Sequence, residues 1–207
     1  MNFPTIISNV KYKLPLFYRS QKPAHFEDQN LEDEYQNEVY EYAHKLATNH
    51  KFKSVIDIGC GSGFKLIKYF NHFDTIGVET EPCFSYLKQH YPTKKWLLSG
   101  AAEKDINLEN LAADIVICSD VIEHFEKPEK LLIFLKSIQF TKLIISTPDR
   151  AVLIQQKKGT QYGPSWNPCH AREWNFEELS SYLSIYFKVI SAFHCPIQKE
   201  CMVFELE

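Results

Sequence analysis

Three short stretches hold residues whose types and spacing could do chemistry. In SVIDIGCGSGFK, an apolar run ends in Asp57, and Gly59, Gly61 and Gly63 follow before a helix-like segment. So tight a turn needs residues that tolerate positive φ and let a ligand approach the backbone, which suits a nucleotide-like ligand. In DVIEH, Asp120, Glu123 and His124 stand at i, i+3 and i+4. If that segment is helical they share a face, and two converging carboxylates with an imidazole make half a metal site of the Mg, Mn, Fe or Zn type. In NPCHAREW, His170 stands just ahead of a helix, where a histidine is ordinarily a cap or a surface group. It gains a chemical purpose only if the fold brings it partners.

The elements that must position these residues follow from hydrophobic patterning. LEDEYQNEVYEYAHKLAT, residues 31–48, carries Leu31, Tyr35, Val39, Tyr42, Ala43 and Leu46 at helical spacing with an acidic opposite face. Val- and Ile-rich runs at 54–58, 75–78, 114–119 and 142–147 then alternate with segments of helical length at 64–71, 82–90, 128–139 and 175–186. Such alternation predicts a parallel sheet with helices on both faces. Pro82 and Pro128 suit a first helical turn, where the missing amide costs nothing. FKVISAFHC and ECMVFELE read as a closing pair of strands. Residues 149–173 lack clear periodicity and read as a functional loop.

Composition narrows the partners. A chain of 207 residues with 44% hydrophobic content suits a single domain, 1–207, with residues 1–50 as an N-terminal helical cap region. A net charge of -3 gives no excess to neutralise a run of phosphates, so polymeric nucleic acid is not the expected substrate. The N-terminal twenty residues lack a signal-peptide core and a membrane-length apolar run, and no membrane-binding amphipathic helix is read there, which points to a cytoplasmic protein without membrane insertion. Six cysteines without a CxxC pair fit reduced thiols, and Cys169-His170 with His194-Cys195 match no ordinary zinc module.

The spacing D-x-G-x-G-x-G, with Glu79 ending the next strand in IGVETEP, resembles motifs of the class I S-adenosylmethionine-dependent methyltransferases. A dinucleotide fingerprint would want a small residue where Phe64 stands, which disfavours a nicotinamide oxidoreductase. The resemblance covers residues 35–190 in outline. It implies a Rossmann-like α/β fold with a mostly parallel seven-stranded sheet, helices on both faces and a C-terminal antiparallel hairpin. It also implies S-adenosylmethionine as cofactor. Gly59, Cys60, Gly61 and Gly63 would pass beneath its methionine and ribose, and Asp57 would orient the loop or the amino group. Glu79, with Thr80 beside it, would accept the ribose hydroxyls; Ala102 and Glu103 would contact adenine; Ser119 would border the site.

DVIEH with a downstream HAREW further resembles a metal-dependent subgroup, the small-RNA 2'-O-methyltransferases and ubiquinone-pathway O-methyltransferases with their E-x-x-E-H and later histidine. The matching positions are Asp120, Glu123, His124 and His170, with Asp120 in place of a longer glutamate. Arg172 is expected to pair with a surface carboxylate and Trp174 to anchor the core. His124 or His170 would be ligands if a divalent metal is bound, and general bases if not. The expected activity is O-methylation of a small-molecule acceptor such as a sugar, nucleotide-sugar or phosphorylated cell-surface glycan precursor, by a monomer or homodimer. RNA or quinone methylation is the alternative within the class, and a non-catalytic S-adenosylmethionine-binding protein the alternative outside it.

Overall fold

A computed structural model describes residues 3–25, 28, 34–99 and 110–207. The chain enters through α1 (Phe3–Lys11) and α2 (Asn37–His50), then runs β1 (Ser54–Ile58), α3 (Phe64–Phe70), β2 (Asp74–Glu79), α4 (Cys83–His90), β3 (Lys95–Leu98) and β4 (Ala112–Ser119). After a 3₁₀ turn at Ile122–His124 come α5 (Pro128–Ser137), β5 (Gln139–Pro148), α6 (Arg150–Gln155), α7 (Phe176–Leu183), β6 (Val189–His194) and β7 (Cys201–Leu206). The expected helix start at Leu31 lies outside the described residues. Within residues 149–173 the expected loop opens with α6, because the Asp149 carboxylate caps it by accepting from the Ala151 amide.

The seven strands form one sheet in the order β3-β2-β1-β4-β5-β7-β6. The first five are parallel, and β7 pairs antiparallel with both β5 and β6. This is the mostly parallel sheet with helices on both faces that the alternation of apolar runs anticipated, closed by the expected C-terminal pair of strands. The chain steps outward from β1 to β3 and returns to place β4 beside β1. The order therefore reverses between β1 and β4, and the crevice at their carboxyl ends is where open parallel sheets gather ligands.

Strand alternation builds a core on each face. Ile115 and Ile117 of β4 face α2, α3 and α4 through Val39, Ala43, Leu66 and Leu87, whereas Val116 and Cys118 face α5 and α7 through Leu131, Leu135, Leu179 and Tyr182. The glycine inside β2 has a packing reason: Gly77 pairs with Trp96 of β3, and a β-carbon there would run into the Trp96 ring. Trp174 is the anchor expected of it. It is fully buried, stacks on Tyr182 and donates its indole N–H to the Tyr12 carbonyl.

Candidate functional site

The crevice at the switch point opens into a cavity of about 640 Å³ lined by both chemical clusters. On the β1 side the chain leaves the strand through Gly59, Gly61 and Gly63, all at positive φ (73°, 56° and 71°). At Gly59 the packing is also tight, since a β-carbon would come 2.5 Å from the Val121 side chain. The two halves of the site therefore meet there, the glycine loop against the turn that leads to Glu123.

Glu79, at the end of β2, ties this half together. One carboxylate oxygen accepts from the Gly61 amide at 2.8 Å, and the other accepts from the Thr80 amide at 2.7 Å and the Thr80 hydroxyl at 3.2 Å. Burial raises its pKa and those donors pull it back. Asp57 lies behind the loop, fully buried, with the Tyr40 hydroxyl donating to one oxygen at 2.9 Å and no hydrogen bond to the other. Burial pushes its carboxyl up to about 7. Cys60, Thr80 and Ser119 line the same cavity. Ala102 and Glu103 lie outside the described residues.

On the β4 side the 3₁₀ turn, and no longer helix, carries the second cluster. Glu123, His124 and His170 each offer a ligand atom within 4.8 Å of the others'. Asp120, the fourth expected position, lines the same cavity but lies outside that group of three. Its backbone turns at φ 53°, and its carboxylate accepts from the Ser146 hydroxyl at 3.0 Å. The shorter side chain is held against β5, where a glutamate would reach further. Burial also raises its pKa.

Glu123 is the anomaly of the molecule. Its side chain is fully buried, and neither carboxylate oxygen has a hydrogen bond of good geometry, although the Thr147 hydroxyl and its own backbone amide lie near enough to pull its pKa down against burial. Burial, then the nearby Asp120 charge, holds its carboxyl well above the usual range. The imidazoles beside it are bonded so as to fix their tautomers. The Nδ1 of His124 faces the Cys169 carbonyl at 2.8 Å, and the Nδ1 of His170 faces the Glu173 carboxylate at 2.8 Å. Each Nδ1 must donate, which leaves the lone pair of a neutral ring on Nε2. The Nε2 of His170 lies 4.0 Å from Glu123 and 3.0 Å from the Asn167 amide. Burial, then the neighbouring His170, lowers the pKa of His124 to about 4, so that ring is neutral at neutral pH.

His170 is thus no helix cap. Asn175 caps α7, in a reciprocal pair with Glu178. The histidine sits in a turn organised by Asn167, whose side-chain oxygen accepts from the Cys169 amide, and the Ala171 amide donates to the Glu123 carbonyl at 2.7 Å. Arg172 departs from its expected surface pairing. It is buried, donates to the Phe125 and Glu126 carbonyls, and lies over the Tyr12 ring. Its job is to bind the His170 loop to the chain after the 3₁₀ turn.

Sequence reasoning missed the contributions of the N-terminal segment. Tyr40, Gln36 and His25 line the cavity, and Gln21 donates its amide to the Asn167 and His170 carbonyls at 2.8 and 3.0 Å. Tyr40 could have been found, since Gln36, Tyr40, Ala43 and Ala47 form a second stripe on α2 at helical spacing.

A seven-stranded switch-point sheet with this glycine loop and a carboxylate at the end of β2 has the architecture of the Rossmann-like methyltransferases. Residues 29–195 match the family described as methyltransferase domain. The chain belongs to that family, and with it is an S-adenosylmethionine-dependent methyltransferase. Its fold is similar to that of the PH0226 protein from Pyrococcus horikoshii OT3, at 17% identity and TM-score 0.67 over 88% of this chain and 94% of that one. A SAM-dependent methyltransferase from Aquifex aeolicus is similar at 17% identity and TM-score 0.63, over 88% and 98%. Magnesium protoporphyrin IX methyltransferase (ChlM) from Synechocystis PCC 6803, solved with bound SAH, is similar at 16% identity and TM-score 0.62, over 83% and 82%. No curated protein matches the chain in sequence.

Proposed function

We propose that the enzyme moves the methyl group of S-adenosylmethionine to a hydroxyl oxygen of a small-molecule acceptor, of the sugar, nucleotide-sugar or phosphorylated glycan-precursor type, with a divalent metal held by Glu123, His124 and His170. The observation that carries the metal is the buried Glu123 carboxylate with no hydrogen bond of good geometry, beside two imidazoles whose lone pairs fall on Nε2. A buried carboxylate without well-placed donors is costly, and a cation offsets that cost. Glu173 on His170 and the Cys169 carbonyl on His124 supply the outer hydrogen bonds that orient metal-binding histidines.

In this reading Gly59, Cys60, Gly61 and Gly63 cradle the cofactor, and Asp57 orients the loop or receives its amino group. Glu79 exchanges its bonds to Gly61 and Thr80 for the ribose hydroxyls. Ser119, bonded to Ser146 at 2.7 Å, sets the floor of the cleft between cofactor and acceptor. The carbon–sulfur bond breaks as the carbon–oxygen bond forms, giving S-adenosylhomocysteine and a methyl ether, while the hydroxyl proton passes to solvent at the mouth of the cleft. A bound divalent ion would hold the acceptor oxygen and lower its pKa. The protein's own part is to align the oxygen with the methyl group and keep water out. The polar lip formed by His25, Gln36, Glu126 and Asn167 supports a polyhydroxylated acceptor.

The test is thermal unfolding with Mn²⁺ or Mg²⁺ against a chelator, in the wild type and in His170→Ala. At a metal concentration about a hundred times Kd the wild type should gain roughly 3 kcal/mol, a rise of several degrees. The variant should show no rise. A shift of equal size in His170→Ala would remove the histidine from the metal and with it this reading.

A further inference from the structure

Helix α1 is built inside out for a solvated helix. Asn9 is its buried residue, donating to the Leu16 and Tyr18 carbonyls, while Ile7 and Val10 are 66% and 55% exposed. The chain that follows exposes Leu16 and Phe17, at 50% and 59%. Phe17 meets Tyr162 edge-on at 6.4 Å, and Trp166, 64% exposed, lies further along the same loop. These apolar groups sit on two segments that bond to one another: the Arg19 amide donates to the Tyr162 carbonyl and the Ala24 amide to the Pro168 carbonyl. Pro23, Ala24 and Asn167 carry the same two segments to the lip of the cleft.

Charge along these two segments is one-sided, although acidic groups of other elements border them: Glu129 accepts from Lys11 and Tyr12, and Glu177 and Glu178 lie beside Val10 and Lys13. None of the 26 acidic residues falls within 3–25 or 150–172, although the chain carries net charge -3. Lys13, Arg19, Lys22, Lys157 and Lys158 are all exposed there. Exposed aliphatic and aromatic side chains ringed by cations suit an interface of anionic headgroups over hydrocarbon. Nucleic acid would account for the cations and for Trp166, but it gives no reason to present Ile7, Val10 and Leu16.

We propose that this face seats the enzyme on the surface of an anionic lipid bilayer, with the mouth of the cleft at the headgroup level. The chain lies on the membrane without crossing it; among the described residues no helix is long and apolar enough to span one. The docking does not depend on which acceptor is methylated or on a metal.

Flotation of the full chain with vesicles tests it. Phosphatidylglycerol vesicles should carry the protein at about 0.1 M salt, phosphatidylcholine vesicles should carry at least roughly tenfold less, and about 0.5 M salt should release it. The double variants Phe17→Ser/Trp166→Ser and Lys157→Gln/Lys158→Gln should each lower partitioning roughly tenfold or more, with circular dichroism and melting unchanged because all four side chains are exposed. The proposal is overturned by failure to float with phosphatidylglycerol, by equal partitioning onto the two lipids, or by double variants that partition like the wild type. Binding of a single-stranded RNA without vesicle binding would overturn it equally.

Discussion

Glu79, half-buried, and Glu123, fully buried, are carboxylates on opposite sides of one crevice, and they are treated in opposite ways. Glu79 ends β2 and faces three donors from Gly61 and Thr80. Glu123 follows β4 and has no hydrogen bond of good geometry. Hydrogen bonds to an ionised carboxylate lower its pKa, whereas desolvation raises it, so at Glu79 the donors work against burial, while at Glu123 burial and the nearby Asp120 charge prevail. Around Glu79 the cofactor half is thus satisfied by the protein itself before any ligand arrives. Around Glu123 the histidine half has no such donors of good geometry, which is what a bound cation would offset in the proposed reading.

Asp57 stands between these extremes, with one donor, Tyr40, and one unpartnered oxygen. It gives the largest expected effect. Its carboxyl is raised by burial to about 7 from the ordinary 3.8, so between those pH values the folded protein keeps a proton that the unfolded chain has lost. Folding then takes up a proton, and this contribution to stability falls as pH rises through the window and is flat above about 7. The full loss is about 4 kcal/mol. Urea unfolding of the wild type and Asp57→Asn at pH 4.5 and pH 8 measures it as the difference between the two proteins. A difference that does not change with pH would mean that Asp57 is charged in the fold.

The contrast itself is sharpened by making the same substitution twice. Glu79→Gln keeps the shape but turns an amide donor towards amides that already donate, and should cost about 2 kcal/mol in the absence of ligand. Glu123→Gln replaces a protonated carboxyl by a near-isostere, and should change the metal-free stability by less than about 1 kcal/mol. Calorimetry should reverse the order for ligands. Glu79→Gln is expected to weaken S-adenosylmethionine about tenfold or more and leave the metal-induced rise in melting temperature, while Glu123→Gln should do the converse. Equal losses in both assays for both variants would show that the two halves are one cooperative unit.

The two halves also differ in how far they were legible in the sequence. The glycine loop, Asp57 and Glu79 lie within one β-α-β stretch, where local turn chemistry and strand ends dictate position, and Gly59, Gly61 and Glu79 line the cleft. The closing hairpin and the parallel order were legible for the same reason. The histidine half depends on pairings far apart in the chain. Nothing periodic in residues 18–25 announces that they will bond to residues 162–171, or that Gln21 will hold the His170 turn. The identity of the candidate ligands could be read, but the exclusion of Asp120 could not. That depends on a left-handed backbone turn and on Ser146, a residue of the neighbouring strand.

Tyr40 supplies the smallest and most discriminating effect. Its hydroxyl is the donor that pulls the Asp57 carboxyl down, against the burial that raises it. Tyr40→Phe leaves the ring in place beside Tyr69, at 6.2 Å, and removes that donor alone. The expected cost is about 1 kcal/mol at pH 8, where Asp57 is ionised and needs the bond, and less at pH 5, where it is protonated. The pH at which stability levels off should move above 7 for the same reason. Unfolding titrations at the two pH values read both effects together. An equal cost at pH 5 and pH 8 would show that the hydroxyl only packs, and that Asp57, like Glu123, is left to its burial.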